Sequence, residues 1–242
     1  MFDAFPKTRP PLPQEYQEIY AAHYRENREG GSVASSVSTR LEAWLHKRVA
    51  EDVATSTRQD VATLELGAGT LNQLDHEPVV GPYDVVEPFE ELYRGSPKLA
   101  RVRATYADIA EIPADTRYDR VTSVAVLEHV LDLPAVVASS GLLLNDGGVF
   151  RAGVPSEGTL LWTLGWRLTT GLEFRFKHGL DYSLLMRHEH VNSAAEMDEV
   201  LRFFFVDVRC RVFGLCKALS FYRYYEAHQP RLDRCTEFAA AR

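Results

Sequence analysis

The sequence predicts an α/β protein organised around a doubly wound, mostly parallel sheet. Three observations lead there. Short apolar runs alternate with polar or helical stretches: 61–66 (VATLEL), 83–87 (YDVVE), 101–106 (RVRATY), 119–126 (DRVTSVAV) and 148–154 (GVFRAGV). Strands spaced this way, with helical connections, form parallel sheets. The first run ends in a Gly-Ala-Gly turn. The chain's 242 residues suffice for one large α/β domain, or one domain with a cap.

Composition narrows the function classes. Hydrophobic residues make up 45% and charged residues 25%, ordinary for a globular domain. A net charge of -7 argues against a sequence-independent grip on phosphate backbones, so no nucleic-acid partner is expected. Cys210, Cys216 and Cys235 are odd in number and form no CxxC pair, which disfavours a disulfide scaffold or zinc site. The start lacks a basic region followed by an apolar run, and 159–168 is too short to span a bilayer. The expectation is a cytoplasmic protein with no integral membrane segment.

Two regions follow from the pattern along the chain: an N-terminal arm and helical lid over 1–58, and the sheet domain over 59–242. Residues 1–13 hold four prolines and read as an extended arm. Tyr16, Tyr20 and Tyr24 are four apart and share one helical face, which suits either core packing or a lid over 14–38 ordered by ligand. Gly30, Gly31 and the serine-rich 32–38 predict a loop. Thr39 and Glu42 then read as a capping box, opening a helix that ends near Ala54 and carries Leu41, Trp44, Leu45 and Val49 on its apolar stripe. Residues 157–190 are too long for a plain loop and read as an inserted helical cap. Ser193 and Glu196 form a second capping box, before a helix buried through Met197, Val200, Leu201 and Phe204. Residues 206–214 and 219–227 are two further strands.

Ligands of open parallel sheets bind beyond the carboxyl ends of the strands. Gly67 and Gly69 follow the first strand, where glycine tolerates the turn and lets a ligand approach bare backbone. Glu87 ends the second strand, twenty residues beyond Gly67, where a carboxylate can accept from both ribose hydroxyls. Asp108, after the third strand, can accept from an exocyclic adenine amine while Ile109 packs on the ring. Each signal has a plain structural counterpart: a tight turn, a solvated strand end, a helix cap. Their order and spacing together favour a nucleoside-bearing ligand.

This order resembles the class I S-adenosylmethionine-dependent methyltransferases, strongly over about 60–155. LELGAGT is similar to their first motif, with Glu65 ahead of Gly67, Ala68 and Gly69. VVEP, with Glu87 and Pro88, is similar to the ribose-holding motif, and ADI to the adenine contact. YDRVTSVAVLEHVLDLP resembles the strand-four motif of the branch that includes quinone-biosynthesis and natural-product enzymes. The resemblance implies a Rossmann-like, seven-stranded sheet with an antiparallel last strand, 219–227. It implies S-adenosylmethionine as cofactor, held by Glu65, Gly67, Ala68, Gly69, Glu87, Pro88, Asp108, Ile109, Ser123 and Val124, and a small-molecule acceptor such as a sugar, a nucleotide-linked glycan intermediate or a natural product. Leu71 stands where phosphate-binding loops carry a third glycine. A cofactor without phosphate tolerates that better than a dinucleotide does.

Methyl transfer needs alignment, exclusion of water and, for a hydroxyl or acidic carbon, a base. His129, Glu157 and His190 are the candidate catalytic residues, flanked by Glu128, His188 and Glu189. The same residues also suit a helix-capping or cap-docking polar network. No metal set is expected, because the Asp/Asp/Asn pattern of catechol-type enzymes is not evident. The aromatic stretch 160–182, with Arg167, Arg175, Lys177 and His178, reads first as a lid with its own small core, then as an acceptor wall, then as a membrane-facing surface. A nicotinamide-dependent oxidoreductase is the alternative enzyme, disfavoured by Leu71 and the missing Tyr-xxx-Lys. A non-catalytic cofactor-binding or scaffold protein of the same fold is the alternative from another class.

Overall fold

A computed structural model describes residues 2–20 and 36–241. Tyr24, Gly30, Gly31 and the stretch 32–35 lie outside the described residues. Seven strands form one sheet: β1 (Thr63–Leu66), β2 (Tyr83–Val86), β3 (Ala104–Tyr106), β4 (Tyr118–Val124), β5 (Leu144–Pro155), β6 (Phe205–Cys216) and β7 (Leu219–Pro230). Their spatial order is β3-β2-β1-β4-β5-β7-β6. The first five are parallel and β7 runs antiparallel between β5 and β6. This is the seven-stranded, Rossmann-like sheet that the sequence implies.

Helix α1 occupies residues 14–20 of the described chain. The others are α2 (Ser36–Ala54), α3 (Leu133–Leu142), α4 (Leu160–Leu168), α5 (Thr170–His178), α6 (Ser183–Glu189), α7 (Ala194–Phe204) and α8 (Leu232–Ala240). Helix α2 is already formed at Ser36 and ends at Ala54. Residues 36–38 are therefore helical rather than a loop, and Thr39 is not the cap. The second capping box forms as expected: the Ser193 hydroxyl accepts from the Glu196 N–H, and the Glu196 carboxylate accepts from the Ser193 N–H.

The first three crossovers depart from the expectation of helical connections. Between β1 and β2 stands only a 3-10 turn, Asn72–Asp75, and Glu90–Leu92, Pro97–Arg101 and Ile109–Glu111 are the turns of the next two. Pro78, Pro82, Pro88, Pro97 and Pro113 interrupt these stretches, and each removes a helical donor and crowds the preceding turn. A small cluster of Ala68, Leu71, Leu74, Tyr83, Val85 and Tyr93 covers this part of the sheet instead.

The two faces separate along β5. Phe150, Ala152 and Val154 join the main core with residues of α3, α7 and α8. Arg151 and Gly153 face α2: Leu45 packs over Gly153, and Arg151 Nε donates to the Val49 carbonyl at 2.9 Å. Under α2 this face carries an ionic layer. Arg120 of β4, 2% exposed, donates to Asp52 (2.8 Å), Glu77 (2.5 Å) and the Val49 carbonyl (3.0 Å). Gln73 joins Glu77 to His46 of α2. Helix α2 is thus docked by charge as well as by Leu45, Val49 and Val53.

The arm does not stand away from the domain. Phe2 packs edge-on against Phe203 and Phe238. Lys7 donates to the Val191 carbonyl and to Glu196. Arg9 donates to the carbonyls of His188 and His129. Leu12 and Tyr16 enter a cluster with Phe174 and Leu185, and the Tyr16 hydroxyl bonds the backbone of Asp181. Tyr16 is therefore a packing residue. Among the described residues, no helix is long and apolar enough to cross a membrane.

Removing one partner of a buried ion pair strands the other and costs about 3–5 kcal/mol. Arg120→Met leaves the buried Glu77 with only the Gln73 amide and is expected to lower unfolding free energy by about that much, whereas Arg120→Met with Glu77→Leu recovers most of it. Equilibrium urea unfolding of the three proteins measures both, and an equal loss in single and double variants would overturn the argument.

Candidate functional site

The parallel register places the predicted cofactor residues on one edge. Leu66 is level with Val86 and with Ser123, and Val86 with Tyr106. Gly67, Glu87 and Val124 therefore emerge side by side, with Asp108 two residues past the end of β3. Backbone bonds fix this edge: Gly67 N–H donates to the Val86 carbonyl (2.7 Å) and Glu87 N–H to the Tyr106 carbonyl (2.8 Å).

The glycine turn has a different logic from the one its sequence suggests. Both glycines have positive φ, +66° at Gly67 and +50° at Gly69, and glycine adopts this backbone without penalty. A Cβ at Gly67 would meet Val126 Cγ2 at 2.3 Å, so a side chain of the strand-four loop, not a ligand, is what presses on Gly67. A Cβ at Gly69 would meet nothing within 4 Å, and this is the open side of the turn. Leu71 also adopts the left-handed conformation, φ 63°, and is fully buried. Left-handed backbone costs a non-glycine residue roughly 1–2 kcal/mol, and burying leucine returns about 1.5–3 kcal/mol. A core residue therefore holds the place of the third glycine.

Glu87, 6% exposed, accepts from Gly69 N–H (2.8 Å) and Phe89 N–H (3.1 Å). It clamps the turn, and each oxygen keeps a second lone pair for a ligand hydroxyl. Pro88 follows it on the same edge. Asp108 caps the turn Ile109–Glu111 by accepting from Ala110 N–H at 2.8 Å; its side chain is exposed, and Ile109 is buried. The Ser123 hydroxyl is buried and has no hydrogen-bond partner. Glu65, 4% exposed, accepts from the Tyr83 hydroxyl at 2.9 Å, and burial pushes its carboxyl up to about 8.

The second half of the site lies beside the strand-four loop. Glu128 O accepts the N–H groups of both Val191 (2.9 Å) and Asn192 (3.0 Å). The buried Asn192 amide donates to the carbonyls of Leu127 and Val130. These bonds bring the 187–192 stretch against Glu128-His129, as a docking network would. They also assemble the chemical groups. His190 Nδ1 meets Glu157 Oε2 at 2.7 Å, and that carboxylate also accepts from Trp162 Nε1 at 2.6 Å. His129 Nδ1 lies 2.9 Å from the Glu189 carbonyl, and the two imidazoles pack edge to face with centroids 4.9 Å apart. Trp162 stacks on His190 and meets Tyr222. Glu128 is 1% exposed; burial pushes its carboxyl up to about 7, and its Oε2 has no partner. His188 is tied elsewhere, its Nδ1 bonding the Pro10 carbonyl.

His129, Glu157 and His190 are therefore neighbours, as expected. Val126, Trp162 and Asn192 were not singled out from the sequence. The only signal for Asn192 was a polar residue beside a capping box, and an indole among many aromatics carries none.

Neither the protein-family models nor the curated proteins include a match to this chain. Solved structures do match in shape. The plantazolicin methyltransferase BpumL, in complex with S-adenosylhomocysteine and a triazolic substrate analogue, superposes with a TM-score of 0.57, covering 89% of this chain and 93% of that one at 10% identity. Magnesium protoporphyrin IX methyltransferase from Synechocystis PCC 6803, with bound S-adenosylhomocysteine, gives 0.54 over 88% and 96% at 14% identity. The CurJ carbon methyltransferase gives 0.54 at 21% identity over 80% of this chain but only 55% of that one. The fold is that of the class I S-adenosylmethionine-dependent methyltransferases.

Glu65 makes a prediction independent of any ligand. Its ordinary value is 4.5 and its folded value about 8, so between these the native state holds a proton the unfolded chain has lost. Stability therefore falls as pH rises through that window. Glu65→Gln keeps a neutral partner for Tyr83 and removes this contribution, while Glu128 still adds a slope of the same sign. Melting curves from roughly pH 5 to 8 are expected to show a shallower decline for the variant, whose advantage grows with pH. Parallel profiles would refute the assignment.

Proposed function

We propose that this chain is an S-adenosylmethionine-dependent methyltransferase acting on a small molecule. The observation that carries the proposal is the convergence of a clamped glycine turn, the Glu87 carboxylate, Asp108-Ile109 and the orphaned Ser123 hydroxyl on one sheet edge, in a fold shared with solved methyltransferases. The groups fit an adenosyl ligand. Gly69 leaves open space, Glu87 retains lone pairs for ribose hydroxyls, and Ser123 has an unused hydroxyl.

When bound, S-adenosylmethionine supplies an electrophilic methyl group on a sulfonium. The residues Glu65, Gly67, Ala68, Gly69, Glu87, Pro88, Asp108, Ile109, Ser123 and Val124 line its place. His129, Glu157 and His190 serve the acceptor, by alignment or by drawing off its proton as the new bond forms. Glu157 orients His190, and Trp162 walls the space above it. The helices α4 to α6 roof the acceptor, and their aromatic lining suits selection of a sugar, nucleotide-linked glycan or natural product.

Glu87→Ala is expected to weaken S-adenosylhomocysteine binding about ten- to hundredfold, the value of one or two hydrogen bonds to a charged group. Calorimetric titration of the folded variant measures it; unchanged affinity would sink the ribose assignment, and tight NADH binding by the wild type would sink the whole proposal.

His129→Ala, Glu157→Gln and His190→Ala are expected to slow single-turnover methyl transfer while leaving S-adenosylhomocysteine affinity nearly intact. A change confined to apparent acceptor affinity would make a residue a binding group instead. Wild-type rates and affinities in all three would show the trio to be purely structural.

A further inference from the structure

Glu128, His129 and His190 present a chemical imbalance. A backbone carbonyl can only accept, so the contact of His129 Nδ1 with the Glu189 carbonyl places the ring hydrogen on Nδ1. The contact of His190 Nδ1 with the Glu157 carboxylate does the same for the second ring. In neutral rings both Nε2 atoms are then bare electron pairs. His129 Nε2 points toward the Glu128 carboxylate, 3.8 Å from Oε1. That carboxylate is buried, and its Oε2 has no partner. A bare imidazole nitrogen of His129 and a carboxyl oxygen without a partner thus sit side by side, next to the His190 ring.

We propose that Glu128, His129 and His190 bind a divalent transition-metal ion of the zinc, iron or manganese class. One ligand atom from each lies within 4.8 Å of the others. A cation roughly 2.0–2.2 Å from its nitrogen and oxygen ligands is reached by small side-chain rotations. Two imidazoles and one carboxylate favour such an ion over magnesium or calcium, which take oxygen ligands. The outer contacts support the same assignment. A metal-bound histidine usually donates its other ring hydrogen to a carbonyl or carboxylate, and here Glu189 and Glu157 supply one of each. Three protein ligands leave positions open, so an acceptor hydroxyl can bind the ion directly. The ion then lowers the acceptor's proton affinity, so that the hydroxyl proton leaves to water as the methyl group arrives, and the two imidazoles act through the ion rather than as free bases. No metal is expected from the sequence because the Asp/Asp/Asn pattern is not evident; ligands drawn from segments about sixty residues apart leave no such pattern.

Only the role toward the acceptor rests on the proposed methyl transfer; binding of the ion does not. The test therefore omits cofactor and acceptor. The full-length chain is stripped with chelator and titrated calorimetrically with Zn²⁺ and Co²⁺, and with Mg²⁺ as a control. One equivalent of Zn²⁺ or Co²⁺ is expected to bind, with a Co²⁺ visible spectrum that reports nitrogen and oxygen ligation. Glu128→Gln, His129→Ala and His190→Ala, checked for folding by circular dichroism, are each expected to weaken binding at least tenfold. Glu157→Gln, a positioning change, should weaken it by about 10–100-fold. His76→Ala, at the stacked His46–His76 pair elsewhere, should leave it unchanged. No stoichiometric binding by the wild type, or binding unaltered in the folded ligand variants, overturns the proposal. In a separate titration, failure of the wild type to bind S-adenosylhomocysteine with metal binding intact would count only against the cofactor assignment.

Discussion

Both halves of the site hang on one carbonyl. Glu128 O receives the N–H groups of Val191 and Asn192, and the Asn192 amide holds the carbonyls on either side of it. The strand-four loop is part of the parallel sheet, whereas 187–192 returns from three helices with only a small cluster of their own. This clasp, together with the His129–Glu189 contact and the Arg9 bridge, fixes His190 relative to His129. A buried, bonded asparagine gives such a contact direction as well as energy, since unpaired amide and carbonyl groups are costly inside a protein.

The clasp reaches the other half through Val126, two residues before Glu128. Its side chain fills the place of a Gly67 Cβ, and so packs the strand-four loop onto the glycine turn. Glu87 holds the same turn from the opposite strand through Gly69 N–H. The turn is gripped from both neighbouring strands before any ligand contributes. Leu71 adds a third hold from within the hydrophobic layer. Preorganisation of this kind limits the ordering cost a ligand must meet on binding.

The strands and the ligand edge were legible because short apolar runs and terminal glycines or acids leave direct traces in the sequence. The order of Gly67, Glu87 and Asp108 along the chain becomes their proximity in space through register alone. Connections were less legible. Helical crossovers are the usual solution for parallel strands, yet proline after proline shortened three of them to 3-10 turns. The start of α2 was misplaced because Thr39 and Glu42 satisfy a capping pattern that a continuous helix can also contain. Glu157 and His190 could be assigned to one edge, but not paired with each other at 2.7 Å, since that depends on how the intervening helices fold back. The partnerless Glu128 oxygen has no sequence signature at all, because want of a partner is a property of surroundings.

The N-terminal arm sets a timing on all of this. Its contacts with the stretch 181–191, Lys7 to Val191, Arg9 to His188 and Tyr16 to Asp181, span 184, 179 and 165 residues. During synthesis the arm must therefore wait for these later residues before its partners exist. The sheet strands that carry the glycine turn can pair in the meantime, since they lie close together in sequence. The two halves of the site are born at different moments. Nascent chains halted before about residue 190 would own the glycine turn, His129 and Glu157 without His190.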